Sequence, residues 1–504
     1  MKVEGITIEE LLKLVQKQEQ EIGKKDIEIK YLKEKIDYLI RQLYHPKSEK
    51  LKDNTPSLFE DIGESVPVEE DKEIEITFKR KKGGRTTPPK DIPRVVVEHD
   101  LSEEDKICKC GCKMHKIKEI VSEQYDVIPA KFQIIKNVRY VYGCKCGSKP
   151  KTSQLEPTIL PRAQVTPSFL ATIAIHKFED SLPLHRQAKI YKKRFGMPFT
   201  DTTLSNWIIQ GAKALQPVIE LIRNRVVQNN YIQADETTLQ VLKENNKKAT
   251  SKSYIWLGIG MDRYKAVYMK YSDNRKSNVA SSMFKGFNGY LQTDGYRGYN
   301  QVVVDENITH LGCWAHARRK FADIIKSGKS DEDSKKYAKE AVTLIQKLYK
   351  IEKEIKEDPP DIKVKTREEK ARPIVNNIKE WIDSNFFKAQ SIGGAIAKAF
   401  VYLNNQFDKL TIYLEDGNLN IDNNLAENHV RPIALGRKNW LFATSVKGAH
   451  AIATWYSIIE TAKLNGLEPF KYLKYLLKEL PIYIRDEKNI EELMPWCIDK
   501  SVLG

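Results

Sequence analysis

Apolar residues return every seven positions at the start of the chain. Ile8, Val15, Ile22, Ile29, Ile36 and Leu43 share one heptad position, and Leu11, Leu32 and Leu39 stand three residues after some of them. This repeat predicts a helix with a coiled-coil seam over residues 1–45, and β-branched residues at a with Leu at d favour two parallel strands. Gln18 and Lys25 occupy d positions and weaken the middle of the seam. The competing expectation is one amphipathic helix packed on its own domain. Self-association is preferred, because the polar, Lys-rich stretch that follows gives the helix nothing nearby to cover.

Across residues 46–98 the periodicity is lost. The acidic run Glu69-Glu70-Asp71-Lys72-Glu73, the basic run from Lys79 to Arg85, and then Pro88, Pro89 and Pro93 describe a polar, basic linker stiffened at its end. The basic run can lie along phosphates or enter a minor groove, or it can simply be solvated. A cysteine-rich lobe is expected at 99–155. Within 156–225, the segments Pro167 to Phe178, Leu184 to Phe195 and Thr200 to Leu215 read as helices, with Thr200 or Asp201 capping the third. Two helices joined by a tight Gly turn suit a helix-turn-helix, whose second helix can enter the major groove.

From Tyr231 the texture becomes that of strands: Tyr231 to Leu242, Ser253 to Gly260, Ala266 to Tyr271, Gly289 to Thr293 and Ile308 to Cys313. A helix from Ser277 to Phe284 separates the third from the fourth, and another begins near Trp314. Three successive strands followed by strand-helix alternation predict an α/β sheet with one antiparallel edge, spanning 226–330 and resuming at 416–450. Residues 331–415 read as a helical insertion broken at Asp358-Pro359-Pro360-Asp361, and 451–504 as a C-terminal helical segment.

Composition adds the partner. With 84 Lys and Arg against 68 Asp and Glu in 504 residues, the formal charge is +16, which attracts polyanions, nucleic acid foremost. The length predicts several domains. No apolar run approaches the roughly 20 residues of a membrane helix and the first ten residues lack a secretory core, so a cytoplasmic location is expected. There the seven cysteines should be thiols or metal ligands. Five of them, Cys108, Cys110, Cys112, Cys144 and Cys146, crowd into one region, with His115 a spare candidate ligand. Cys108 and Cys112 have a spacing that tetrahedral zinc accepts, whereas Cys144 and Cys146 are too close. Either four of these residues bind one Zn²⁺ or the lobe is metal-free.

Asp235 sits mid-strand, where a carboxylate is costly unless something cationic pairs with it. Asp294 ends a strand and precedes Gly295, and strand ends are where an α/β sheet presents groups to a ligand. Glu427 falls in the first turn of a short helix that Asn423 or Asn424 could cap. Taken singly, each acid is more readily a turn cap or an answer to a helix dipole. Three such acids around one sheet can hold two Mg²⁺ or Mn²⁺ ions ~4 Å apart, clamping the attacking and leaving oxygens of a phosphodiester. Cys313 and His316 suit packing or DNA contact better than a metal.

The ordered blocks make the chain resemble transposases of the insertion sequence 66 family over nearly all of its length. They run from the leading zipper and Ser48-Glu49-Lys50-Leu51 through the cysteine region, Leu182-Pro183-Leu184-His185-Arg186-Gln187 and Ala234-Asp235-Glu236-Thr237. Thr293-Asp294-Gly295-Tyr296, Cys313-Trp314-Ala315-His316-Ala317-Arg318-Arg319-Lys320-Phe321, Asn424-Leu425-Ala426-Glu427 and Gly436-Arg437-Lys438-Asn439-Trp440-Leu441-Phe442 follow. The resemblance implies a multidomain α/β protein whose catalytic region is RNase H-like, with an Asp-Asp-Glu site at Asp235, Asp294 and Glu427. It also implies a zinc-binding segment, from whose paired Cys-x-x-Cys knuckles this chain departs by one residue in each. Arg318, Arg319, Lys320, Arg431, Arg437 and Lys438 flank the expected site and are candidate phosphate contacts; Arg431, four residues after Glu427, can instead pair with it.

The implied activity is metal-dependent cleavage at transposon ends and transfer of the 3′-hydroxyl into target DNA, by a homodimer or higher assembly working on double-stranded DNA near the nucleoid. Companion proteins of the element are further expected partners. A non-catalytic DNA-binding regulator and an RNase H-like endonuclease without strand transfer are the alternatives.

Overall fold

The computed structural model describes residues 132–142, 151–161, 163–305, 308–327 and 330–503, with Gln18 and Lys25 as isolated helical, exposed positions. The coiled-coil seam, the linker and all five clustered cysteines lie outside the described residues, apart from those two d positions. From Arg139 onward the described residues belong to one compact unit. It opens with a small antiparallel pair, β1 (Val141–Tyr142) and β2 (Lys151–Thr152).

Four helices follow. Helix α1 (Pro167–Phe178) is capped by Thr166, whose side chain accepts from Phe169 N, and α2 (Leu184–Phe195) stops at Gly196, where φ is +68°. Thr200 caps α3 (Asp201–Ala214), and α4 (Gln216–Val226) leads to the sheet. An aromatic cluster of Phe169, Tyr191, Phe199 and Trp207 closes this helical layer.

The main sheet has six strands. The long β3 (Tyr231–Lys243) lies at its centre and pairs antiparallel with β4 (Lys252–Gly260), which pairs antiparallel with β5 (Ala266–Ser272). After α5 (Ser277–Phe284), β6 (Tyr290–Gln292) runs parallel to β3. A short α6 (Asn300–Asp305) separates it from β7 (Thr309–Leu311), parallel to β6. The order is β5-β4-β3-β6-β7. The sheet is mixed, antiparallel on one side of β3 and parallel on the other, where the sequence predicts an α/β sheet with one antiparallel edge.

Helix α7 (Trp314–Ser327) then leads into the helical insertion: α8 (Glu332–Glu354), α9 (Pro360–Thr366), α10 (Arg372–Ile392) and α11 (Gly394–Thr411). Arg367, buried between α9 and α10, binds both oxygens of Glu352 at 2.7 and 2.9 Å and donates to the carbonyls of Tyr413, Asp416 and Leu419. The insertion is thereby fastened to the stretch that returns to the sheet.

That return is α12 (Asn424–Trp440), followed by β8 (Ala443–Ser445), which pairs parallel with the far end of β3. Helix α13 (Val446–Leu464) is buried around its whole circumference. It covers the sheet edge: the backbone N–H groups of Val267 and Met269 on β5 donate to Thr461 Oγ1 and Ser457 Oγ. A free edge would otherwise present these donors to another chain. Trp455 of α13 donates to Ile208 O on α3, and α14 (Pro469–Arg485) packs on α1, so the first helical layer is held by the last two helices. Among the described residues, no helix is long and apolar enough to cross a membrane.

Candidate active site

Asp235 comes early in β3, paired across to Leu257. Asp294 stands two residues beyond β6, the parallel neighbour of β3, where Gly295 at φ +85° turns the chain. Its Oδ1 accepts Tyr296 N at 2.9 Å, and its carbonyl accepts the Tyr402 hydroxyl of α11 at 2.6 Å. Glu427 lies in the first turn of α12. That helix is 17 residues long, not short, and Asn423 precedes it without capping it by its side chain. The Asn423 amide instead donates to Ala234 O at 2.9 Å, tying the helix start to the strand beside Asp235.

A buried polar lattice fixes these segments against one another. Gln233 donates to Gln292 Oε1 at 2.8 Å and to Asp422 O at 2.9 Å, while its own carbonyl oxygen accepts Ala426 N. Gln292 donates to Gly312 O and Asn420 O, and the Tyr231 hydroxyl donates to Gln292. Gln233 stands two residues before Asp235 on the same side of β3, and Gln292, the last residue of β6, stands two residues before Asp294. Neither was singled out from sequence, although a long polar side chain inside an apolar strand is the signal that marks such a residue.

The Asp235 carboxyl senses the charges of the other two acids. Burial first, and then the charges of Glu236, Asp294 and Glu427, hold the Asp235 carboxyl well above the ordinary carboxylate range. Glu236, the competing acid, is occupied elsewhere: Arg275 Nε lies 2.8 Å from Oε1 and Tyr299 Oη donates to Oε2 at 2.6 Å. The Arg275 guanidinium in turn stacks 3.6 Å over the Tyr296 ring. Asp422 accepts Asn424 N in the turn before α12, as its position predicts.

Glu427 faces cations from α7. Arg319 Nη2 lies 3.0 and 3.3 Å from its two oxygens. Arginine only donates, so His316 Nε2 accepts from Arg319 Nη1 at 3.3 Å; the ring proton is then on Nδ1, 3.5 Å from Glu427 Oε1. Burial lowers the His316 pKa. Glu427 thus pairs with Arg319 and His316 rather than with Arg431, the alternative that its spacing offered.

Of the other basic candidates, Arg318 is a correction. It is only 1% exposed, so it is part of the core and has no route to a phosphate. Lys320 Nζ stands 4.4 Å from the Tyr402 ring, Arg437 donates to Thr237 and Thr238, and Arg431 and Lys438 are exposed on α12. Cys313 is buried and its sulfur accepts Asn423 N at 3.3 Å, a packing role.

The oxygen donors suit a hard divalent cation. Their reach is incomplete: among the described residues no group of three His, Cys, Asp or Glu stands close enough to hold a metal ion.

The sequence profile described as "Transposase IS66 family" matches residues 162–451, more than half of the chain and all three acids. The chain belongs to the IS66 transposase family. The IS66 C-terminal element matches 457–496, and the zinc-finger binding domain of IS66 transposases matches 105–147, which contains the five clustered cysteines. The sheet, its insertion and α12 therefore all fall within the IS66 transposase segment, while α14 falls within the C-terminal element.

Among curated proteins, the chain is similar to three uncharacterized proteins of Sinorhizobium fredii. It is 30% identical to y4hP over 83% of this chain and 78% of that one. It is 28% identical to y4jD over 92% and 94%, and 31% identical to y4qI over 78% and 74%.

Proposed function

We propose that this IS66 transposase cleaves DNA at the ends of its element and joins the freed 3′-hydroxyl to target DNA, with Asp235, Asp294 and Glu427 as the catalytic acids. The observation that supports the reading is the IS66 transposase match across all three acids, with Asp235 on β3 and Asp294 just beyond its parallel neighbour β6. The strand order supports reading the sheet as RNase H-like. Asp235 and Asp294, joined by Glu427, would hold Mg²⁺ or Mn²⁺, which supplies charge neutralisation at the attacking and leaving oxygens.

The chain's own residues do the remaining work. The Gln233–Gln292–Asn423 lattice orients the acids, and Arg319 with His316 holds Glu427 until it turns inward. Lys320, Arg431, Arg437 and Lys438 neutralise phosphates, which fixes the register of the scissile strand. Helices α1 to α3 and the cysteine lobe, with one Zn²⁺ on four of Cys108, Cys110, Cys112, Cys144 and Cys146, recognise the element ends. The leading heptads join two protomers across a pair of ends, and companion proteins of the element act with them, in the cytoplasm at the nucleoid.

One observation favours a second reading, a DNA-binding regulator that keeps the fold: the clasp of Arg319 and His316 on Glu427. A single experiment separates the two. Purified full-length protein is incubated with DNA bearing the element ends, with and without Mg²⁺, and nicked and joined products are resolved. Asp235→Asn, Asp294→Asn and Glu427→Gln should each lower both products about 10³-fold, the equivalent of roughly 4 kcal/mol. Cleavage that survives all three substitutions removes the active-site assignment. Wild type that binds the ends without nicking them supports the regulator, and nicking without joining supports an endonuclease.

A further inference from the structure

Beyond the acids, α12 ends in a conformation that leucine rarely adopts. Leu441 has φ +61° and ψ −54°, and Phe442 N donates to Trp440 O at 2.7 Å, closing a γ-turn of the strained, positive-φ kind. A β-carbon is disfavoured there, so the turn persists only because both of its ends are fixed. Leu441 N is still bonded to Arg437 O inside the helix, and Ala443 is already paired with Val241 on β3. Between these anchors the turn pushes two apolar side chains outward: Leu441 is 63% exposed and Phe442 37%.

The surroundings are those of a polyanion site. An open cleft of about 430 Å³ adjoins Leu441, walled by Thr250, Ser251, Lys252, Arg437 and Lys438 among others. Arg437 is braced against Thr237 and Thr238, which holds its guanidinium at the cleft wall. Along α12, Glu427, Arg431, Leu435 and Lys438 recur at intervals of four, four and three residues, so they share one helix face. That face leads from the third acid to the turn over ~20 Å, about six steps of duplex DNA.

We infer that the Leu441–Phe442 turn is a wedge that opens a base step of double-stranded DNA about six steps from the cleavage point, and that the adjoining cleft takes the displaced nucleotide. Apolar side chains inserted between bases unstack and kink a duplex, while cations on either side hold its backbone. A wedge must not fold away when pushed, which a turn clamped between helix and strand satisfies. The inference rests on the reading of the chain as a DNA-cutting enzyme and adds how the DNA is deformed.

The test uses full-length protein without added Mg²⁺ or Mn²⁺, so that cleavage plays no part, and measures binding to a 40-base-pair duplex with and without one abasic site. Wild type should prefer the abasic duplex by about tenfold, because that step is already unstacked. The double variant Leu441→Ala, Phe442→Ala should bind both duplexes alike, near the wild-type affinity for intact DNA. Leu441→Gly suits the positive φ, so it should melt no lower than wild type and still lose much of the preference. Arg437→Gln with Lys438→Gln should weaken both duplexes equally.

Equal binding by wild type, or a preference that survives the double variant, overturns the wedge. So does a change in sedimentation on Leu441→Ala, Phe442→Ala with DNA discrimination intact, which would assign the turn to a contact between copies of the chain. Metal-dependent nicking by wild type without the abasic preference sinks the wedge alone. The preference without nicking sinks the proposed chemistry alone.

Discussion

Asp235 is half-buried and feels the charges of three other acids, and nothing cationic bonds to its carboxylate among the described residues. A folded protein stores instability at such a point and releases it when the charge is removed. Asp235→Asn should therefore raise stability in the absence of divalent cations while abolishing cleavage, and urea denaturation beside the nicking assay checks both. His310 behaves oppositely. It is buried against Thr293 at 2.8 Å, and burial, with Lys409 adding, brings its pKa down to about 3. The folded state thus prefers the neutral ring, so this contribution is complete above about pH 6.5 and is lost as pH falls from there toward 3. Its loss should reach about 2 kcal/mol by pH 5, and His310→Gln should flatten that part of the stability profile. The three acids were legible in the sequence because their neighbours form recognisable blocks, not because any one looks catalytic. Gln233, Gln292 and Asn423 were passed over, since a lone amide carries no chemistry until its partners, one of them 189 residues away, are in place.

Elements were read best where the chain punctuates itself. Thr166 and Thr200 begin helices, Gly196 ends one, and Pro183 sets the entry to another; these boundaries are visible as residue types. Helix α12 was read too short. It continues through Pro432, whose missing N–H the helix tolerates because Ala426, Val430 and Ile433 bury its inner face. Burial of that kind is tertiary and leaves no local mark. The fate of Arg318 has the same origin: in sequence it is one of three consecutive cations, and only the packing of α7 sends it inward. Arg367 gives the matching prediction at this scale. Removing the guanidinium leaves Glu352 and three carbonyls without their donor, so Arg367→Met should cost about 3–5 kcal/mol by urea denaturation. Replacing the exposed Lys379, which pairs with Asp383 on the surface, should cost no more than about 0.5 kcal/mol.

For the whole molecule, the net charge of +16 makes affinity for DNA a function of salt. A plot of log affinity against log salt should be steep, and Lys438→Gln should lower its slope by about one contact, uniformly across DNA sequences. The sheet that carries the acids is not a separable piece. Its edge is covered by α13, and the helices proposed to recognise DNA lean on α13 and α14. Synthesis begins at the other end. A ribosome completes β3 and its Asp235 long before it reaches α12, and the supports of the first helices emerge last of all. A message interrupted within the insertion should therefore yield a chain whose first helical layer lacks its late-made supports.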